Sequence, residues 1–157
     1  MNIVVKQGNL VDFDTEVDVI VNAWNRNFIP YWLLLPHGVS RAIKKKAGFK
    51  PFNEVQKKGL LSLGEAVLTS AGKLKCRGII HVAGIGMLWN SSEKAIRLSV
   101  RNALDLCMKH SFTSIAMPLI GCGAGKFSEK KCMELIYEEC NAFNGEINVI
   151  IVQYKKP

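Results

Sequence analysis

Residues 114–128 read Ser114-Ile115-Ala116-Met117-Pro118-Leu119-Ile120-Gly121-Cys122-Gly123-Ala124-Gly125-Lys126-Phe127-Ser128. An apolar run of strand character enters a loop with glycine at alternate positions, and a helical pattern follows from Ser128. Glycine lets the main chain adopt left-handed angles and lets another group approach it closely. Successive N–H groups in such a loop form a concave nest for phosphate oxygens. The same glycines would also serve a plain strand-to-helix turn. The loop would lie, however, at the carboxyl end of a strand, where open α/β sheets bind ligands. That position favours an anion cradle, with Lys126 adding charge at its rim.

Working outward, the pattern repeats along the chain. Asn2–Lys6, Val17–Val21, Ala66–Ser70, Gly78–Ala83, Ser114–Leu119 and Asn148–Gln153 are short, β-branched apolar runs. Runs this continuous suit strands covered on both faces. Helical patterns separate them. One runs from about Gly38 to Ala47 and stops at Gly48, a natural C-terminal cap. A second starts after Ser91 or Ser92 and reaches about His110, with Ala95, Ile96, Val100, Ala103, Leu104 and Cys107 on one stripe. A third runs from after Ser128 to about Phe143, with Glu129 favourable to its dipole. A weaker one covers Phe52–Lys58. No linker, repeat or low-complexity tract interrupts residues 1–157, so the expectation is one three-layer α/β domain.

Composition narrows the function classes. At 48% hydrophobic and 22% charged, the chain reads as an ordinary soluble globular protein. Its opening, MNIVVKQGN, is not a basic start followed by an apolar stretch, which predicts no secretory signal and a cytoplasmic address. The longest apolar runs, Phe28–Pro36 and Val149–Val152, fall far short of the roughly 20 residues of a membrane span. Five cysteines without a CxxC pair read as reduced thiols, mostly in the core, and predict neither a disulfide framework nor a metal site. The net charge of +8 favours anionic ligands without choosing between a small phosphate compound and a polynucleotide.

Two further segments carry chemistry. In Val17-Asp18-Val19-Ile20-Val21-Asn22-Ala23-Trp24-Asn25 a strand ends in two asparagines. Their uncharged donors and acceptors suit ribose hydroxyls beside a diphosphate, although asparagine is equally common where strands simply stop. In Pro36-His37-Gly38-Val39-Ser40-Arg41-Ala42-Ile43 a helix opens with free N–H groups, a second anion site. Two phosphate-cradling segments in one small domain point to a diphosphate.

Together these segments resemble the macrodomain family. Gln7-Gly8-Asn9-Leu10 resembles its "GD-I" turn, and Val21-Asn22-Ala23-Trp24-Asn25 its "VNAAN" strand end. Gly38-Val39-Ser40-Arg41-Ala42-Ile43 resembles "GGGV-GAI", and Gly121 to Phe127 the glycine-rich "STG-YG-F" loop. Gly64-Glu65-Ala66 and Ile79 to Gly84 resemble "GEA" and "VIHTVGP", all in the family's order. The resemblance implies a three-layer α/β/α sandwich around a mixed, largely parallel sheet, and ADP-ribose as ligand without a cofactor. It implies that Asn9 stands at the adenine contact with Leu10 offering main chain beside it. Asn25 would face the distal ribose, and Ala23 would also contact the ligand. Gly38, Val39 and Ser40 would line one side of the diphosphate, and Gly121, Cys122, Gly123, Ala124, Gly125, Lys126 and Phe127 the other. Tyr154 would flank the adenine ring.

The departures from the family pattern matter equally. Asn9 replaces an acidic adenine contact. Ser40 stands where hydrolytic members of one branch carry an aspartate, and serine is a poor general base without a partner. Residues 26–37 replace a glycine run with an apolar stretch stiffened by two prolines. That stretch suits a lid over the distal ribose, ordinary core, or a subunit contact. His37 is the titratable candidate near the distal ribose. His81 reads as a hydrogen-bonded core residue, His110 as a helix end, Trp89 as packing, and Lys44-Lys45-Lys46 as a solvated helix face without interleaved aromatics. The functional expectation is therefore an ADP-ribose-binding module that hydrolyses an ADP-ribosyl or O-acetyl-ADP-ribose bond, with Asn25, His37 and Ser40 as catalytic candidates. A non-catalytic reader of ADP-ribosylated protein or nucleic acid is the alternative. Binding of bare nucleic acid is not favoured, no membrane partner is expected, and the assembly is a monomer or small homo-oligomer.

Overall fold

The apolar runs pair into one six-stranded sheet in the order β1-β6-β5-β2-β4-β3. Its strands are β1 (Asn2–Gly8), β2 (Val19–Trp24), β3 (Ala66–Thr69), β4 (Gly78–Ala83), β5 (Ser114–Pro118) and β6 (Asn148–Tyr154). Every pairing is parallel except that of the edge strand β3, which runs antiparallel to β4. The computed structural model describes residues 1–33, 38–88, 90–123 and 125–155. The helices are α1 (Gly38–Ala47), α2 (Lys50–Gln56), α3 (Glu93–Lys109) and α4 (Glu129–Ala142).

The central strands are buried on both faces, which is why they are apolar without alternation, whereas the edge strand β1 departs from that expectation and leaves Val4 and Val5 exposed. Ile115, Ala116 and Met117 of β5 are fully buried, as are Ile79 and Ile80 of β4. One face packs against α3 and α4 through Ile96, Val100, Leu104, Leu135 and Ile136. The other packs against α1, α2 and a 3-10 turn at Leu10–Phe13, through Ile43, Phe52, Val55 and Leu10. Each of these large side chains contributes about 1.5–3 kcal/mol by leaving water. This is the mixed, largely parallel α/β/α sandwich that the sequence predicts.

Local chemistry sets the helix ends. Gly48 takes φ 82° and donates its N–H to Lys44 O at 3.0 Å, closing α1 where the sequence stops it. Ser92 caps α3 by accepting from Ala95 N at 3.1 Å, and Ser128 caps α4 by accepting from Lys131 N. Most strands shift at one or both ends by one to three residues from expectation, and two boundaries and one added turn have a visible cause. Strand β2 begins at Val19 because Asp18 spends its main chain elsewhere, donating to Ser114 Oγ and accepting from Arg77 N. Helix α2 starts at Lys50, with Pro51 in its first turn, and ends at Gln56. The 3-10 turn, absent from the sequence reading, is capped by Asn9 Oδ1 accepting from Val11 N.

Lys44 corrects the reading of the lysine run as a solvated face. Its side chain is buried, donates to Tyr31 O at 3.0 Å, and lies 4.9 Å over the Phe52 ring and 5.3 Å over that of Trp24. Burial lowers its pKa from the ordinary lysine value.

Candidate functional site

Five parallel strands deliver their carboxyl ends to one edge of the sheet. There β1 leads to Asn9, β2 to Asn25, β4 to the loop 84–91, β5 to the glycine loop, and β6 ends on Tyr154. Strands β2 and β5 pair only through Val19↔Ile115 and Ile20↔Ala116, so they part before their carboxyl ends. From there the chain leaves β2 for α1 in one layer and β5 for α4 in the other. Adjacent strands whose connections depart to opposite faces create a crevice, the preferred ligand site of open α/β sheets.

The glycine loop forms one wall. Gly121 takes φ 84°, and its carbonyl accepts from Phe127 N at 3.0 Å, while Gly123 O accepts from Lys126 N at 3.1 Å. Ser91 fills the space behind it, donating its N–H to Gly125 O at 3.1 Å and its hydroxyl to Gly84 O at 2.7 Å. A Cβ on Gly121 would collide with Ser91, and one on Gly125 with Gly121 O. Glycine is therefore required at both positions for close packing. Among the described residues the N–H groups of Gly123 and Gly125 have no protein acceptor, which leaves them to an anion.

The start of α1 forms the opposite wall. Gly38 takes φ 58°, and the N–H groups of a first helical turn lack intrahelical acceptors. Ser40 fastens this turn to the sheet. Its Oγ donates to Asn22 Oδ1 at 2.8 Å and lies 3.4 Å from Ala23 O. Asn22 Nδ2 in turn faces His81 Nδ1 at 3.1 Å, so that nitrogen accepts and the imidazole proton sits on Nε2, 3.0 Å from Thr69 Oγ1. Complete burial drives the His81 pKa down to about 3 and keeps the ring neutral. The hydroxyl proton of Ser40 is thus committed to an amide, which cannot take it, and no base contacts Ser40 among the described residues.

Asn25 lies buried at the end of β2, its Oδ1 accepting from Asn27 N at 2.6 Å. Its Nδ2 has no acceptor among the described residues and remains available to a ligand. Asn27, which the sequence reading missed, holds the turn. It takes φ 62°, accepts from Trp24 Nε1 at 2.6 Å, and donates to Val55 O and Gly59 O. The only signal in the sequence is that asparagine tolerates this left-handed angle. Residues 26–31 of the apolar insert are pinned to α2, with Gln56 bonding both Asn27 O and Tyr31 N. Trp32 and Leu33 are exposed. His37, Ala124 and Trp89 lie outside the described residues.

At the far end, parallel pairing sets Gly8 opposite Tyr154, so Asn9 and the exposed Tyr154 flank one corner of the edge. The main-chain N–H of buried Leu10 has no acceptor among the described residues. Cys122 is half-buried, and contact with the Cys132 side chain lowers its pKa while raising that of Cys132. Lys126 is exposed at the rim with φ 54°. The structure thus groups Asn9, Leu10 and Tyr154 at one end, Ala23 and Asn25 at the other, and the two N–H walls between. Asn27 went unnoticed in the sequence, whereas Asn22, read with Asn25 as suited to ribose hydroxyls, is spent on Ser40 and His81, and Ser91, read as a helix start, packs behind the glycine loop.

The profile of the Macro domain family matches residues 21–136, well over half of the chain and all of this crevice except its Asn9–Tyr154 corner. The chain belongs to this family. The macrodomain is 35% identical over 144 residues to a protein of Aquifex aeolicus, covering 91% of this chain and 83% of that one. It is 32% identical over 136 residues to the O-acetyl-ADP-ribose deacetylase of Klebsiella pneumoniae, covering 82% of this chain and 74% of the relative. A variant of the Oceanobacillus iheyensis macrodomain solved with ADPR superposes with TM-score 0.81 at 28% identity, covering 98% of this macrodomain and 84% of that chain.

Proposed function

We propose that this macrodomain binds ADP-ribose across the crevice and hydrolyses an ADP-ribosyl bond or the acetyl ester of ADP-ribose. The observation that carries the reading is the pair of facing N–H walls, the glycine loop at Gly123 and Gly125 and the first turn of α1, on either side of the parting between β2 and β5. Each wall suits one phosphate of a diphosphate. Adenine would then lie at Asn9 and Tyr154, where Asn9 offers an amide in place of a carboxylate. The distal ribose would lie at Asn25, whose Nδ2 would hold a ribose hydroxyl or the attacking water. The similarity to an ADPR-bearing macrodomain and to an O-acetyl-ADP-ribose deacetylase supports the ligand and the reaction class. In turnover, water adds across the ester or glycosidic bond, releasing ADP-ribose and the group it carried.

One observation favours the reader instead. With its proton held by Asn22, Ser40 supplies no base, so catalysis would rest on substrate positioning and on His37. Calorimetric titration with ADP-ribose, with AMP as control, tests the pocket: tight ADP-ribose and weak AMP binding are expected, and equal binding counts against the diphosphate reading. Incubation with O-acetyl-ADP-ribose and with an ADP-ribosylated protein then separates the two functions. Release of free ADP-ribose, lost in Asn25→Ala with binding retained, identifies the enzyme. Tight binding without release identifies the reader.

A further inference from the structure

The excess charge is confined to one stretch of the chain. Residues 38–77 hold ten Lys and Arg against two Asp and Glu, and the rest of the chain holds eleven of each, so this one stretch accounts for the whole net charge of +8. It comprises α1, α2, β3 and the loop into β4. Lys45, Lys50, Lys57, Lys58, Lys73 and Lys75 are exposed there, and none is in an ion pair among the described residues. The loop carrying Lys73 abuts the α1–α2 corner, its N–H donating to Ala47 O at 3.0 Å. The nearby acids are already engaged. Asp14 is buried between Lys46 Nζ and Lys75 N, and Glu54 accepts from Ser70 N and Oγ.

An aromatic corner interrupts this field, which the sequence did not reveal. Phe49, between α1 and α2, is 64% exposed, and the Tyr31 ring lies 6.2 Å from it, tilted by 40°. Trp32, the next residue along, is also exposed. Lysines spaced around exposed rings match the chemistry that tracks a phosphate backbone and stacks unpaired bases. A lipid surface fits less well, because it takes helices with an exposed apolar stripe. The apolar residues of α1 and α2, Ile43, Ala47, Phe52 and Val55, are buried against the sheet. We infer that the α1–α2 layer is a docking surface for single-stranded nucleic acid, seated on Phe49 and the surrounding lysines. Its centre at Phe49 and Lys73 lies toward the opposite end of α1 from the proposed diphosphate site, while Lys57 and Lys58 approach the Asn27 turn beside Asn25.

Fluorescence anisotropy with a labelled single-stranded oligonucleotide of about 16 nucleotides, the upper site size of one small binding fold, tests this on the full chain. Binding is expected to weaken with salt, with a log–log slope of about −0.7 per lysine–phosphate contact. The triple charge reversal Lys50→Glu, Lys57→Glu, Lys73→Glu should weaken it at least tenfold and flatten the slope. Phe49→Ala should weaken it about tenfold by loss of stacking and leave the slope unchanged. Circular dichroism melts confirm that the variants fold, as expected for exposed positions. Binding that ignores the lysine reversal or Phe49→Ala, or equal affinity for a duplex of the same length, overturns the proposal. So does cosedimentation with phosphatidylserine vesicles in the absence of oligonucleotide binding.

Discussion

Two glycines of one loop face different constraints, and a single methyl group separates them. At Gly125 a Cβ would meet Gly121 O and, at 2.9 Å, Ser91 Cβ. The obstacle is largely main chain and cannot swing aside without opening the bond from Phe127 N to Gly121 O. At Gly123 nothing lies within 4 Å of the same position. Gly125→Ala should therefore destabilise the protein by about 1–3 kcal/mol through overpacking. It should also weaken ADP-ribose binding at least tenfold, because the displaced loop no longer aims its N–H groups together. Gly123→Ala should leave stability within about 0.5 kcal/mol, as at other surface positions. Urea unfolding and calorimetry of the two variants check this, and equal losses would show that the loop is not held by the Ser91 contact. The alternate glycines announce the loop in the sequence, but not Ser91, which lies about thirty residues away and meets them only after α3 folds back.

At the scale of elements, α1 is tied to the sheet by a row of polar groups through β2, β4 and β3: Ser40, Asn22, His81 and Thr69. Protonating His81 would place an N–H on Nδ1 against the N–H of Asn22, and burial resists the charge besides. Its folded pKa of about 3 lies below the unfolded value of 6.5. Between those values the unfolded ring binds a proton that the folded one refuses. Stability is thus fully present above the unfolded value and lost as pH falls, by up to ~1.4 kcal/mol per pH unit. The lowered carboxyls of Asp18 and Glu54 act below their ordinary values of 3.8 and 4.5, so the window from 4.5 to 6.5 reports the imidazole. Urea unfolding at pH 7 and pH 5 should show the loss, and His81→Asn should abolish most of it. A loss unchanged in that variant would assign it to other groups. The sequence placed His81 in an apolar strand as a hydrogen-bonded core residue, and that reading holds. Its partners were out of reach, since Asn22 and Thr69 become neighbours only through the registers of β2 and β3 on β4. The strands and α1 were legible because burial on both faces and the Gly48 cap leave local marks. The 3-10 turn and the antiparallel direction of β3 leave none, and the Asn27 staple leaves only an asparagine that tolerates a left-handed angle.

For the molecule as a whole, charge is divided between its two helical layers. The α3–α4 layer pairs its charges, Glu139 lying between Arg97 and Arg101 at 3.0 and 2.8 Å, with Glu93 and Glu138 also on Arg97. The α1–α2 layer concentrates unpaired lysines, and the buried Lys44 shows why the sequence alone misjudged it. Its turn inward depends on rings supplied by β2 and α2, which no spacing within α1 can align. Like charges gathered on one layer repel in the folded state more than in the extended chain. Screening should relieve this: the Debye length falls from about 30 Å at 0.01 M salt to about 8 Å at 0.15 M. The melting temperature should rise over that range if lysine repulsion outweighs the attraction in the α3–α4 pairs, most of which lie at or near the surface and are individually weak. The double variant Lys58→Gln, Lys73→Gln tests the repulsive part, since neither residue is in an ion pair among the described residues and the lysines that attract Glu54 are Lys50 and Lys57. It should melt higher than the parent at 0.01 M sodium chloride, with the gap closing by 0.15 M. A gap independent of salt would mean that the substitutions act other than through charge. A parent protein that melts lower as salt rises would mean that the paired layer dominates the electrostatics.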